Sequence, residues 1–99
     1  MLEITKEVNG DEMVVALKGR LDTNTSKDMS SEVVAKLDDI KTLILDFKEL
    51  SYISSAGLRV LLDATQTLSG RGEMRLRNVS RDTMDVFDVT GFSNILKFE

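Results

Sequence analysis

The chain has no cysteine, no histidine and no proline. Without the first two it can form no disulfide, no thiolate nucleophile, no Ser-His pair and no zinc site built from thiolate or imidazole. Without proline, its connections depend on Gly, Asn and Ser for their turns. No stretch approaches the roughly 20 apolar residues that a membrane span requires, so no membrane partner is expected. Positive charge is also in short supply: 13 Lys and Arg against 17 Asp and Glu give a formal net charge of -4. That is the wrong sign for nucleic acid, whose phosphates are held by clustered Lys and Arg. Arg75 and Arg77 alternate along a short strand, the pattern of a wetted sheet face. No tight Asp/Glu cluster stands at ligand spacing, so a metal is not expected and the chain is not read as an enzyme.

What is present is an ordinary globular composition, 41% hydrophobic and 30% charged over 99 residues, which suits one layered core and one domain over 1–99. Met1 leads directly into Leu2-Glu3-Ile4, without a basic stretch, an apolar run and a small-residue cleavage site. Nothing directs export, and the cytoplasm is the expected location.

Leu2, Ile4 and Val8 alternate with polar residues and are followed, after Asn9-Gly10, by Met13-Val14-Val15-Ala16-Leu17, which predicts a β-hairpin closed at Asn-Gly. Lys6 interrupts the alternation, as expected for a first strand near a sheet edge. Gly19-Arg20-Leu21-Asp22 leaves the second strand. Thr23-Asn24-Thr25 then offers caps for a helix carrying Met29, Val33, Val34 and Leu37. Leu43-Ile44-Leu45 with Phe47 is a continuous apolar run, expected as a central strand covered on both faces and ended by Asp46. Leu58, Leu61, Leu62, Thr65 and Leu68 mark a second helix. Gly70-Arg71-Gly72 ends it and reads as a turn, since it follows a helix where a phosphate-binding loop would open one. Met74 and Leu76 form the next strand, and Val79-Ser80 opens a third helix that Gly91 stops. Ile95-Leu96-Lys97-Phe98 is either a last strand or an apolar tail on the core. This order gives an α/β fold: a mixed sheet of four to five strands begun by an N-terminal β-hairpin, with helices mainly on one face.

Residues 53 to 58 narrow the reading most sharply. With Ser54 as N-cap of the second helix, Ile53 and Leu58 fall at the two positions of a hydrophobic staple. The Ser54 oxygen then turns to the amide of Ala56 or Gly57, contributing roughly 1 kcal/mol to the helix end. Ser55, at the first helical position, is left with its hydroxyl toward solvent. Ala56 and Gly57 follow with almost no side chain, leaving room for another protein's backbone. Helix N-termini favour anions, so a phosphate on Ser55 would leave the fold intact while changing the surface. On the residues alone, a Ser-Ser pair ahead of a helix is most often only a cap.

The run from Leu45 to Leu62, LDFKELSYISSAGLRVLL, resembles the signature of bacterial STAS-domain anti-sigma factor antagonists, in which a strand leads into aromatic-apolar-Asp-Ser, a small residue and Gly-Leu-Gly before a helix. Gly19-Arg20-Leu21-Asp22, Gly72-Glu73-Met74 and the stretch Val86 to Phe92 resemble further family segments in the same order. The resemblance covers nearly the whole chain. It implies a STAS fold and a regulatory binding protein without a cofactor; the free edge strand of the opening hairpin leaves a monomer or weak dimer. In that family a partner anti-sigma factor, a GHKL-type serine kinase, phosphorylates the serine that aligns with Ser55, and a PPM-type phosphatase removes the phosphate, so the resemblance implies the same partners here. The unphosphorylated form sequesters the anti-sigma factor. The family Asp before the phosphosite is Ser54 here, a comparable cap. The family Gly after the Leu is Arg59, four residues beyond Ser55 on the same helical face, where it pairs with a phosphate or else stays solvated. Asp22 matches a family acid close to the phosphosite, which positions the hydroxyl or contacts the kinase, or else simply caps the turn into the first helix. The partner-binding surface implied is Asp22, Ser54, Ala56, Gly57 and Arg59. The same fold also serves as a structural subunit of transporters and lipid-transport ATPase complexes, the alternative function.

Overall fold

The computed structural model describes residues 1–99. Strands β1 (Leu2–Asn9) and β2 (Glu12–Leu21) form the opening hairpin, closed by the two residues Gly10 and Asp11. Helix α1 (Ser26–Glu32), a 3-10 turn (Val34–Lys36), β3 (Thr42–Ile53), α2 (Ser55–Leu68), β4 (Glu73–Arg77), α3 (Arg81–Thr90), a second 3-10 turn (Phe92–Asn94) and β5 (Lys97–Phe98) follow. The five strands lie in sequence order, β1-β2-β3-β4-β5. β1 pairs antiparallel with β2, and the other neighbours are parallel. The sheet is therefore mixed, as expected, and the alternative left open at the C-terminus resolves as a short strand with Phe98 partly buried against the core.

Alternation sorts the sheet into two faces. Met13, Val15 and Leu17 of β2, Leu43, Leu45 and Phe47 of β3, and Met74 and Leu76 of β4 join one core with Met29, Val33 and Leu37 and with Leu58, Leu61, Ala64 and Leu68 of α2 and Phe87 of α3. The opposite face is wet. Arg75 and Lys97 flank Glu73, Arg77 reaches Glu99, and Lys18 lies between Glu3 and Glu49. The expectation that β3 is covered on both faces is corrected here. Only Ile44, at 5% exposure between its register partners Val14 and Arg75, is buried on the outer side.

Two boundaries also move. α1 stops at Glu32, because the β-branched pair Val33-Val34 resists the helix and the chain tightens into the 3-10 turn. Asp46 does not end β3 but sits in its middle, where its Oδ1 accepts the Lys48 amide and the Asn78 side chain, both at 3.0 Å. Beyond Asp46 the strand continues to Ile53 with register shifts against β2 between Ala16 and Lys18 and between Gly19 and Arg20. These bulges bend β3 and deliver its end to α2. Gly91 stops α3 in the left-handed region, φ 84°, which a residue with a Cβ adopts only at a cost.

Candidate functional site

The end of β3 and the first turn of α2 form the site. The Ser54 amide donates to the Leu21 carbonyl at 2.9 Å, tying the start of the helix to the end of β2. With extended φ and ψ, Ser54 turns its hydroxyl back to accept the Gly57 amide at 3.3 Å. It is the N-cap expected from the sequence. Ile53 and Leu58, the pair expected as a staple, are both buried in the core.

Ser55 is the first residue of α2 and is exposed. Its hydroxyl makes no hydrogen bond, because Ser54 has taken the capping duty. Ala56 is half-buried beside it. Gly57 is buried, and a Cβ built on it would stand 2.8 Å from Ile53 Cγ1 and 2.9 Å from the Leu21 carbonyl oxygen. Its missing side chain therefore makes room inward, for β2 and β3, and not outward as the sequence reading supposed. Arg59 is exposed one helical turn on, with its Nε donating to Asp63 Oδ1 at 3.3 Å.

Asp22 lies across from this turn and is engaged in its own loop. Its Oδ1 accepts the amides of Asn24 at 3.0 Å and Thr25 at 3.1 Å, and the Thr25 hydroxyl lies 3.2 Å away. The Thr25 amide, chiefly, holds the Asp22 carboxyl below the usual carboxylate range. Thr25 in turn donates its hydroxyl to the Arg20 carbonyl at 2.7 Å, so it makes no cap for α1. Two neighbours escaped the sequence reading: Tyr52 is 42% exposed, and Arg20 stacks on its ring. Both lie within the resembled family segments, Tyr52 as the aromatic of the signature, but nothing local in the sequence pairs them.

No group of three or more Asp or Glu stands close enough to hold a metal, and no buried side-chain polar atom lacks a partner. A cavity of about 300 Å³ lined by Glu3, Thr5, Lys18, Asp46 and Lys48 belongs to the wet sheet face and includes none of the residues around Ser55. With Ser55 and Arg59 both exposed, the site suits docking of a protein surface more than enclosing a small molecule.

A sequence profile for the STAS domain matches residues 3–99. The chain belongs to the STAS domain family. Its relatives place it with the anti-sigma factor antagonists of that family. The Bordetella bronchiseptica protein BtrV, provisionally named an anti-sigma factor antagonist, is 31% identical over 96 residues, covering 95% of this chain and 83% of the relative. Among solved structures, the Bacillus anti-sigma factor antagonist SpoIIAA in its unphosphorylated form superposes with a TM-score of 0.79 at 22% identity, covering 98% of this chain and 87% of the other. An anti-sigma factor antagonist from Mycobacterium paratuberculosis gives 0.88 at 18% identity, covering 99% and 85%. At these identities the two structures bear on the fold alone. No helix of this STAS chain is long and apolar enough to cross a membrane.

Proposed function

We propose that this STAS chain, acting as a single domain in the cytoplasm, is an anti-sigma factor antagonist switched by phosphorylation of Ser55. Unphosphorylated, it sequesters an anti-sigma factor that is a GHKL-type serine kinase. That kinase transfers a phosphoryl group to Ser55 and lets go, and a PPM-type phosphatase restores the binding form. The chain supplies a surface and a phosphoryl acceptor, and the partner supplies the chemistry.

The observation that carries this reading is the exposed Ser55 hydroxyl, without a hydrogen bond, at the first position of α2. Ser54 performs the structural work of the helix end, so Ser55 can be modified without opening the fold. The free amides at the helix start and the macrodipole favour the added negative charge. At the same time about -1.5 to -2 charges appear on a surface that must be desolvated for binding, which weakens the complex. Asp22 contributes by fixing the loop beside α2, Gly57 by seating the helix, and Ala56 and Arg59 by lining the approach.

The test is incubation with ATP, magnesium and the host's GHKL-type anti-sigma factor. Label should appear in the wild type, vanish in Ser55→Ala and be removed by the phosphatase. Label on another residue, or co-purification with an ABC-type ATPase and an unmodified Ser55, would refute the switch and favour the structural-subunit role.

A further inference from the structure

The second bulge of β3 has an exposed product. Register skips Ser51, so that Gly19 is opposite Leu50 but Arg20 is opposite Tyr52. An extra residue of this kind re-aims the side chains beside it. Arg20 Cζ consequently lies 4.2 Å from the centroid of the Tyr52 ring. The backbone beneath the pair is fixed: the Arg20 amide donates to the Met1 carbonyl at 3.1 Å, and the Arg20 carbonyl accepts the Thr25 hydroxyl at 2.7 Å.

The guanidinium itself is held over the ring yet open to solvent. Its Nε stands 3.7 Å from Asp22 Oδ2, an ion pair too long to be a hydrogen bond, and the Arg20 side chain is 54% exposed. None of its N–H donors makes a hydrogen bond, while Asp22 is occupied through Oδ1 with Asn24 and Thr25. Leu21 and Ile53 form the next register pair, and Leu21 accepts the Ser54 amide. One register pair therefore separates the stacked pair from Ser54.

We infer that Arg20 and Tyr52 form the anchor of the docking surface around Ser55, and that its occupant is a carboxylate side chain of the anti-sigma factor, an inference that rests on the function proposed above. A planar guanidinium with open donors matches a carboxylate bidentately, and stacking on an aromatic ring removes much of the freedom that binding would otherwise freeze. Arg and Tyr are also the residue types that dominate binding energy at interfaces. In a chain of net charge -4, an exposed guanidinium whose one ion pair is too long for a hydrogen bond favours an acidic partner group. Phosphate on Ser55 then repels that same carboxylate, which gives the switch its direction.

Affinity for the host's purified GHKL-type anti-sigma factor is measured by titration calorimetry in the Ser55→Ala background, where phosphoryl transfer cannot intervene, with circular dichroism to confirm folding. Arg20→Glu should bind roughly ten- to a hundredfold more weakly, and Arg20→Lys should fall between it and the parent. Tyr52→Phe keeps the stacking ring and should stay within about twofold, whereas Tyr52→Leu should lose about tenfold. Changing the facing acid of the anti-sigma factor to Arg should recover most of the Arg20→Glu loss. Folded Arg20→Glu binding within about twofold of its parent, or Tyr52→Leu matching Tyr52→Phe, overturns the anchor. Labelling of intact Ser55 is scored separately. Arg20-dependent binding without label keeps the anchor and removes the switch, label with Arg20-independent binding does the reverse, and absence of any binding overturns both.

Discussion

The Ser54 hydroxyl accepts the Gly57 amide at 3.3 Å, and by doing so it separates the duties of two adjacent serines. Ser54→Ala removes the N-cap of α2 and should destabilise the fold by about 1 kcal/mol. Ser55→Ala removes an unbonded, exposed hydroxyl and should change stability by no more than about 0.5 kcal/mol. Urea denaturation monitored by circular dichroism measures both. Equal losses would contradict the assignment of cap and acceptor.

Gly57 is the place where helix propensity gives the wrong sign. An exposed helical Gly→Ala change gains about 1 kcal/mol from propensity alone. Here the new methyl would lie 2.9 Å from both Leu21 Cγ and the Leu21 carbonyl oxygen, and the carbonyl belongs to a strand already bonded to Ser54. Overpacking of this kind costs about 1–3 kcal/mol, so Gly57→Ala should lower the urea midpoint. A raised midpoint would show that α2 can shift away from the sheet.

Arg71 was legible only as part of a turn, and it does considerably more. Its guanidinium donates to the carbonyls of Leu37 at 2.8 Å, Ile40 at 2.9 Å and Asp38 at 3.2 Å, while Nε reaches Thr67 at 3.2 Å. It joins the end of α2 to the segment that leads into β3. Arg71→Ala leaves the two part-buried carbonyls of Leu37 and Ile40 unpaired and should cost about 2 kcal/mol. Arg71→Lys should recover less than half of that, because a point charge cannot span the carbonyls that the planar fork reaches. Thermal melts of the three proteins decide it.

These cases explain what the sequence could and could not disclose. The order of elements, the Ser54 cap, the Gly91 stop and the exposed Ser55 were readable because each depends on a few consecutive residues and a strong local preference. The second half of β3 was not. Its buried residues Phe47, Leu50 and Ile53 recur every third position, since bulges displace the pleat, and that spacing resembles neither a strand nor a helix. Contacts across long separations, such as Arg71 with Leu37 or Arg20 with Tyr52, leave no local trace. Gly57 was read as leaving room outward for a partner, because a missing side chain does not say which neighbour needs the space.

Acid should destabilise the protein through three carboxylates. Asp22 is held low chiefly by the Thr25 amide, and Glu73 by hydrogen bonding and charge from Arg75, with Lys97 adding to it. For Asp46, partial burial pushes the pKa up but is outweighed by the Asn78 side chain, the Lys48 amide and the charge of Arg77. Each is lower in the folded than in the unfolded chain. Their contribution is complete above the unfolded values, near ~4, and is lost as pH falls through the folded ones. The urea midpoint should be nearly flat between about pH 7 and 5 and fall below about pH 4.5. Asp22→Asn should be less stable at neutral pH and show a shallower acid slope. A midpoint that rises on acidification would contradict all three assignments.

Arg59 faces a choice of partners once Ser55 is phosphorylated. In the structure it pairs with Asp63, four residues toward the helix C-terminus, with side-chain exposures of 75% and 40%. An exposed i,i+4 pair of this kind contributes only about 0.3–0.5 kcal/mol, so it yields readily to a stronger acceptor. Phosphoserine at position 55 stands four residues on the other side, carries more charge, and has the favourable order of an anion N-terminal to the cation. The phosphate should therefore draw Arg59 away from Asp63, and its second ionisation should be easier than in an isolated phosphoserine. Phosphorus NMR titration of the phosphoprotein reads this directly. Arg59→Gln should raise the phosphate pKa, and Asp63→Asn, which releases Arg59 from its competitor, should lower it. If Arg59→Gln leaves the phosphate pKa where it was, the arginine stays with Asp63 or with water, and the charge on Ser55 is met by the helix amides alone.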